Sequence, residues 1–197
     1  MSMTEARRYS LVAILLHWAI AGLILLNFAV AWRMEDLKGL AKFEIFQLHK
    51  SIGFTVLTLS VLRLLWRLVN RPPPLPAGMP PWQRAAAIAT HWGFYAVMIF
   101  MPLTGWIMVS VSDLNIPTLV WGVVPWPHFE FLHELPKASR KAIGGASHTA
   151  HMALAIGALL LFVLHVAAAL KHQLVDRDGL MGRMIPGLGA RSAAERS

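Results

Sequence analysis

The chain has 197 residues, of which 56% are hydrophobic and only 14% charged. An average soluble domain carries ~25% charge, so the composition describes a single integral membrane unit built from helices. It has no cysteine, nine histidines, ten methionines and a formal charge of +8, which excludes disulfides, thiolate-held iron–sulfur clusters, haem attachment through Cys-x-x-Cys-His and thiol catalysis, and leaves imidazole as the main metal ligand.

The positive charge sits at the ends of apolar stretches and in the tails, where it meets lipid headgroups and sets topology. No basic stripe is interleaved with aromatics, so nucleic acid is not an expected partner. Membrane lipid is.

After a short polar lead containing Arg7 and Arg8, a first span is predicted over residues 10–32. Its core, Leu11 to Trp32, holds 22 residues without an acidic or basic side chain. A signal peptide would have a shorter apolar region, so a retained helix is expected, with His17 inside it and Trp32 as an interfacial anchor. The second span is predicted over 43–67. Its uncharged run, Ser51 to Leu62, covers only 12 residues, so the helix has to extend to include Lys50 and Arg63, whose long side chains can snorkel. His49 lies near its start, and Arg63 and Arg67 share a face near its end. Arg63 is either an ordinary interfacial arginine or a partner for a haem propionate.

Residues 70–81 are a proline linker, because Arg71-Pro-Pro-Pro-Leu-Pro cannot continue a helix. The third span is predicted over 82–111, with His91 near its start, Pro102 as a kink and Gly105 as a point of close packing. A loop over 112–141 follows. It is rich in Trp, Pro and His, its first half is expected to lie at headgroup depth, and it ends in the basic group Lys137, Arg140 and Lys141.

The fourth span, over 142–172, is the most informative. Ala142 to Leu170 runs 29 residues without a charge, long enough to cross a core of ~30 Å. His151 and His165 lie inside it, with His148 near its start and His172 just past its end. At ~100° per residue, a separation of 14 residues falls about 40° short of four whole turns, and at ~1.5 Å per residue it covers about 21 Å. One helix face therefore offers imidazoles at two membrane depths, and His172 falls near that face again. Intramembrane histidines either hydrogen-bond between helices or mark ligand and proton sites. Two on one face at two depths are what two stacked haems would need. The polar tail over 173–197 is expected to be mobile at its end.

By the positive-inside rule both termini are expected in the cytoplasm, since that side receives 11 of the 18 Lys and Arg. This orientation sorts the histidines by depth. Two axial imidazoles at equal depth on facing helices would hold a six-coordinate haem. The outer pair can only be His49 with His151. The inner pair is His165 with either His17 or His91, and spacing does not separate the two. Bis-histidine ligation leaves iron no open position, which favours electron transfer over oxygen binding. A non-haem metal site is the weaker alternative, because only His148 and His151 show the short helical spacing such sites use.

The pattern His17-Trp18, His49 opening a span that closes on Arg63-Leu-Leu-Trp-Arg67, His91 followed by Met101-Pro102-Leu103-Thr104-Gly105, and Leu164-His165 leading to Lys171-His172 resembles the bacterial cytochrome b561 family. That family is grouped with the haem-b membrane subunits of nickel-iron hydrogenases and formate dehydrogenases. The likeness runs from about residue 9 to 186, with the loop over 112–141 the least matched part. It implies an all-α, four-helix integral membrane bundle in the bacterial inner membrane with two haem b groups, the inner one on His17 and His165 and the outer one on His49 and His151. It further implies an oxidoreductase like superoxide oxidase, taking electrons from superoxide outside and reducing ubiquinone. His91 and His172 then become candidates for quinone or haem-edge contacts, and Lys50, Lys137, Arg140 and Lys141 candidates for attracting an anionic substrate. The alternative is a dihaem anchor that carries electrons between a dehydrogenase or hydrogenase partner and quinone, with a redox protein as donor.

Overall fold

The computed structural model describes residues 8–76 and 78–185. Four long helices dominate: α1 (Leu11–Asp36), α2 (Gly39–Val69), α3 (Pro81–Ser110) and, after the loop segment, α5 (Lys137–Lys171). Each is long and apolar enough to cross a membrane. Between α3 and α5 lie a two-stranded hairpin, β1 (Thr118–Val120) and β2 (Val124–Trp126), and a single helical turn, α4 (Glu130–His133). Five π-helical residues, His172–Asp176, extend α5.

Local chemistry sets the helix ends. Ser10 caps α1, its hydroxyl accepting from the Ala13 amide at 3.3 Å. Pro81 opens α3 at the first helical position, where its missing N–H costs nothing. Pro136 precedes Lys137, so α5 starts at Lys137 rather than at residue 142. The basic cluster read as the end of a loop is therefore the start of a helix, with Lys137 and Lys141 exposed and Arg140 half-buried.

The packing is uneven. α1 lies against α2, α2 against α3, and α3 against α5 along its length, but no comparable seam joins α5 to α1 or α2. The apolar core, with Ile20, Val30, Ile52, Val56, Tyr95 and Met98, belongs to the first three helices. α5 buries only Ser147 and Ala158. Its seam with α3 is made close by glycine. A Cβ added at Gly93 would come within 3.3 Å of Leu161, and one at Gly144 within 3.3 Å of Val111, the small-residue packing of membrane helices.

Both described chain ends meet at one end of the bundle, here the terminal end. Tyr9 N–H donates to the Arg183 carbonyl at 3.4 Å, Trp18 Nε1 to the Met184 carbonyl at 3.0 Å, and Arg183 to the Pro74 carbonyl at 2.6 Å. The predicted tail thus folds back on the bundle as far as residue 185. Its expected mobile end, 186–197, lies outside the described residues, as do Arg7, Arg191 and Arg196 of the topology count.

The opposite, hairpin end is strapped to α2. Gln47 donates to the Pro117 carbonyl at 2.9 Å. Ser51 Oγ donates to the Gln47 carbonyl at 2.8 Å and accepts the Trp121 amide at 2.9 Å. Trp121 Nε1 donates to Thr55 at 3.0 Å. These bonds hold Trp121 at φ +55°, next to Gly122 at φ +75°, a left-handed conformation that a bulky side chain rarely adopts. Lys50, buried, donates to Thr118 Oγ1 at 3.0 Å, and Thr118 Oγ1 lies 3.1 Å from His128 Nε2. The ammonium only donates, so the Thr118 hydroxyl proton stays available for the lone pair of a neutral His128. Burial lowers the His128 pKa, and the charges of Lys50 and then His133 lower it further.

A histidine with a depressed pKa in the fold stabilises it in the neutral form, and that contribution is lost as pH falls through and below the ordinary histidine value of ~6.5. Acidification should therefore loosen the strap. Amide exchange over residues 118–126, corrected for intrinsic rates, is expected to rise on going from neutral to acid pH in the wild type and to respond less in His128→Gln. Ser51→Ala should raise it about tenfold already at neutral pH, the loss of roughly one to two hydrogen bonds. Unchanged exchange in Ser51→Ala would show that the hairpin holds without α2.

Candidate functional site

α5 carries its histidines at two levels, and at each level a ring from another helix faces it. At the hairpin end His49 of α2 faces His151, with ring centroids 6.2 Å apart. At the terminal end His17 of α1 faces His165 at 6.2 Å. His91 of α3 is also close, 6.4 Å from His165. An imidazole nitrogen binds a first-row metal at about 2.0–2.1 Å and the ring centroid stands about 1.1 Å behind it, so two imidazoles in line across one metal have centroids about 6.3 Å apart. All three separations fit.

The helices that present these rings differ. His91 lies on the seam where α3 and α5 are in close contact, two residues from Gly93. His17 and His49 face α5 across the two approaches where no helix seam exists. A flat macrocycle several ångströms wide needs the second arrangement. The donor set is the right one for haem: neutral imidazoles with no carboxylate or thiol among them.

The hairpin-end pair has its orientation built in. His151 Nδ1 lies 3.0 Å from the Met101 carbonyl and 3.0 Å from Thr104 Oγ1, and the Thr104 hydroxyl donates to the same carbonyl at 2.7 Å. A carbonyl only accepts, so Nδ1 carries the ring proton and Nε2 keeps its lone pair for a metal. A ligand histidine is commonly fixed in this way. Thr104 belongs to the Met101–Gly105 motif noted in the sequence, but its hydrogen-bonding role was not foreseen. The signal available was a hydroxyl residue two positions after Pro102 in the apolar second half of the span. His49 Nδ1 is buried with no hydrogen-bond partner.

At the terminal end Phe94 packs edge-on to His165 at 5.5 Å. Arg63 is the cation that bears on His17, His91 and His165 alike. Its guanidinium donates to the Ala13 carbonyl at 2.7 Å, one helical turn before His17. Arg67 lies over the Trp92 and Tyr95 rings at 5.6 and 5.7 Å.

Other predicted residues are placed elsewhere. His172 is held by Asp178 at 2.6 Å and Asp176 at 3.1 Å, beyond α5 and apart from the three-ring group. Asp113 takes up Arg140 at 2.8 Å and Lys137 at 3.7 Å. Lys50 points inward to Thr118. Lys141 remains exposed on the first turns of α5. His128 and His133, in the loop, join neither facing group.

Comparison with known proteins adds the identity of the scaffold. Residues 8–187 match the family model described as prokaryotic cytochrome b561. Among individual proteins, cytochrome b561 homolog 2 of Escherichia coli K12 is 30% identical over 189 residues, 94% of this chain and 95% of that protein. The probable superoxide oxidase CybB of Yersinia pestis is 28% identical over 91% of this chain and 97% of its own. A cytochrome b562 of Cereibacter sphaeroides is 28% identical over 93% and 98%. The family match takes in the four apolar helices and every histidine of both facing groups, and so this chain belongs to the prokaryotic cytochrome b561 family, the multi-pass b-type haem proteins that carry electrons in the bacterial inner membrane.

Proposed function

We propose that this protein is a dihaem wire that oxidises superoxide at the hairpin end and reduces membrane quinone, with both termini cytoplasmic. The observation that carries the wire is the facing of His17 with His165 and of His49 with His151 at two levels of one helix. What supports superoxide as donor is the likeness to the probable superoxide oxidase of Yersinia pestis, together with cations at the hairpin end.

His49 and His151 would hold the outer haem, and His17 and His165 the inner one. Haem held by these imidazoles would supply a reversible one-electron couple at each level. Met101 and Thr104 fix the His151 tautomer and raise its basicity. Arg63 places a permanent positive charge beside the inner group, suited to a haem propionate. The apolar helices keep water from both. The overall reaction balances as two superoxide ions giving up one electron each to become dioxygen, and one quinone taking both electrons and two protons to become quinol. The substrate-attracting set narrows from the four expected residues, because Lys50 points inward and Asp113 ion-pairs with Arg140 and Lys137, its one charge offsetting one of their two. Lys141 is the exposed cation of the four without an ion pair among the described residues.

Purified protein is expected to carry two low-spin b haems per chain by pyridine haemochrome and difference spectra. Alanine at His49 or His151 should remove the outer haem, alanine at His17 or His165 the inner one, and His91→Ala should leave both. Loss of a haem in His91→Ala with both retained in His17→Ala would reverse the inner pair. Thr104→Val should leave the haem count at two but speed release of the outer haem about tenfold, as loss of a metal-orienting hydrogen bond does.

Superoxide consumption by the holoprotein with added quinone tests the donor. Lys141→Glu should slow it severalfold at low ionic strength, with the difference vanishing at high salt, since attraction of this kind is screened over ~10 Å at 0.1 M. A rate no greater than that of free haem would remove superoxide as donor and leave the dihaem anchor of a dehydrogenase partner.

A further inference from the structure

A cavity of about 710 Å³ opens at the terminal end, between the start of α1 and the end of α2. Four arginines line it: Arg8, Arg63, Arg67 and Arg71, with Tyr9 and Asn70 beside them and no acidic residue. Among the described residues, none of the four makes an ion pair with a carboxylate. A guanidinium does not lose its charge at any accessible pH. Four such charges around one cavity repel each other unless an anion is shared between them.

The four divide into two pairs. Arg63 and Arg67 lie on the inner wall, half-buried. They are engaged already, Arg63 with the Ala13 carbonyl and Arg67 with two aromatic faces, and Arg63 is turned to the histidine group. Arg8 and Arg71 stand exposed at the mouth. A ligand for the mouth must be anionic, and its oxygens must suit the planar guanidinium fork. Phosphate meets both demands.

The surroundings indicate how that phosphate arrives. The cavity sits where α1 begins and α2 ends, which is headgroup depth for two membrane-spanning helices. Trp66, on its wall, donates its indole N–H to Ser10 at 3.0 Å, in the manner of interfacial anchors. Val69, at the rim, and Leu11 and Leu68, next in sequence to lining residues, are exposed apolar side chains. An acyl chain would lie against these while its headgroup entered the cavity. Basic pockets between membrane helices bind anionic lipid headgroups on this principle.

We propose that this cavity is a phosphate-binding site, with Arg8 and Arg71 as its recognition residues and the headgroup of an anionic phospholipid, carrying one or two phosphates, as its occupant. The site adjoins the inner histidine group, which Arg63 faces from its inner wall, but its recognition residues at the mouth do not, and it stands whether or not superoxide is the donor.

Native mass spectrometry of the detergent-extracted holoprotein tests it. Phosphatidylglycerol and cardiolipin should be retained in preference to phosphatidylethanolamine. The double variant Arg8→Gln/Arg71→Gln should weaken that retention about 30-fold, two surface arginines' worth of attraction, with haem content unchanged as the control for folding. Thermal stabilisation by excess inorganic phosphate, dependent on the same two arginines and without lipid retention, would support the phosphate site and assign it to free phosphate. Equal retention of all three lipids with no effect of phosphate would overturn the proposal. So would undiminished retention in the double variant.

Discussion

An imidazole placed in hydrocarbon must find a partner, because no water is there to supply one. α5 carries two such rings in a stretch with no charge at all, and the rest of the bundle answers to them. At one level the partner of His151 is double: a backbone carbonyl and a threonine on α3 take its Nδ1 proton, and His49 faces the other side of the ring. At the other level His165 meets His17 and His91. Hydrogen bonds between membrane helices contribute little individually, ~0.6 kcal/mol on average. Their value here is directional, since they decide which nitrogen is left for a metal.

The same rule explains the hairpin. Lys50 is one residue from His49 and is buried. A buried ammonium needs acceptors, and α2 cannot supply them from its own backbone. Thr118 comes from the loop to do so, and His128 completes the chain. Polar demands near the surface of the bundle thus add to the aromatic packing of Trp126 on Phe54 and Trp106 in ordering this segment. The left-handed Trp121 belongs to this arrangement: its amide and its indole both end on hydroxyls of α2, so the backbone strain is offset by two bonds that an extended residue there would not make.

What was legible in the sequence follows from range. Helix length, apolar content and the phase of His151 against His165 are properties of one helix, and a 3.6-residue period carries them faithfully. Pairing His49 with His151 needed only equal depth, and in the fold their rings face each other at 6.2 Å. The hairpin was illegible, because its order rests on contacts between residues 47–55 and 117–128 that no local pattern encodes. The ion pairing of the basic cluster was hidden for a related reason. Lys137 and Arg140 read as free cations until Asp113, a loop residue far off in sequence, is seen to take both. His172 shared the helical phase of His165 but passes into a π-helical turn where two aspartates hold it. Phase predicts a face only while the helix stays regular.

The choice between His17 and His91 shows what three dimensions add. Both rings lie within 0.2 Å of the same separation from His165 (6.2 against 6.4 Å), so distance alone is as silent as sequence spacing. The helices decide. α3 and α5 touch closely enough beside His91 that a single Cβ at Gly93 would press on Leu161, whereas α1 and α5 share no such seam. A cofactor wider than a side chain can enter between helices that are held apart by their common neighbours, and not between two that are packed on glycine. α5 leans on α3 alone, and so its two histidines are free to reach α1 at one level and α2 at the other. The bundle's asymmetry is therefore what sets two rings of one helix opposite partners from two different helices, at two levels.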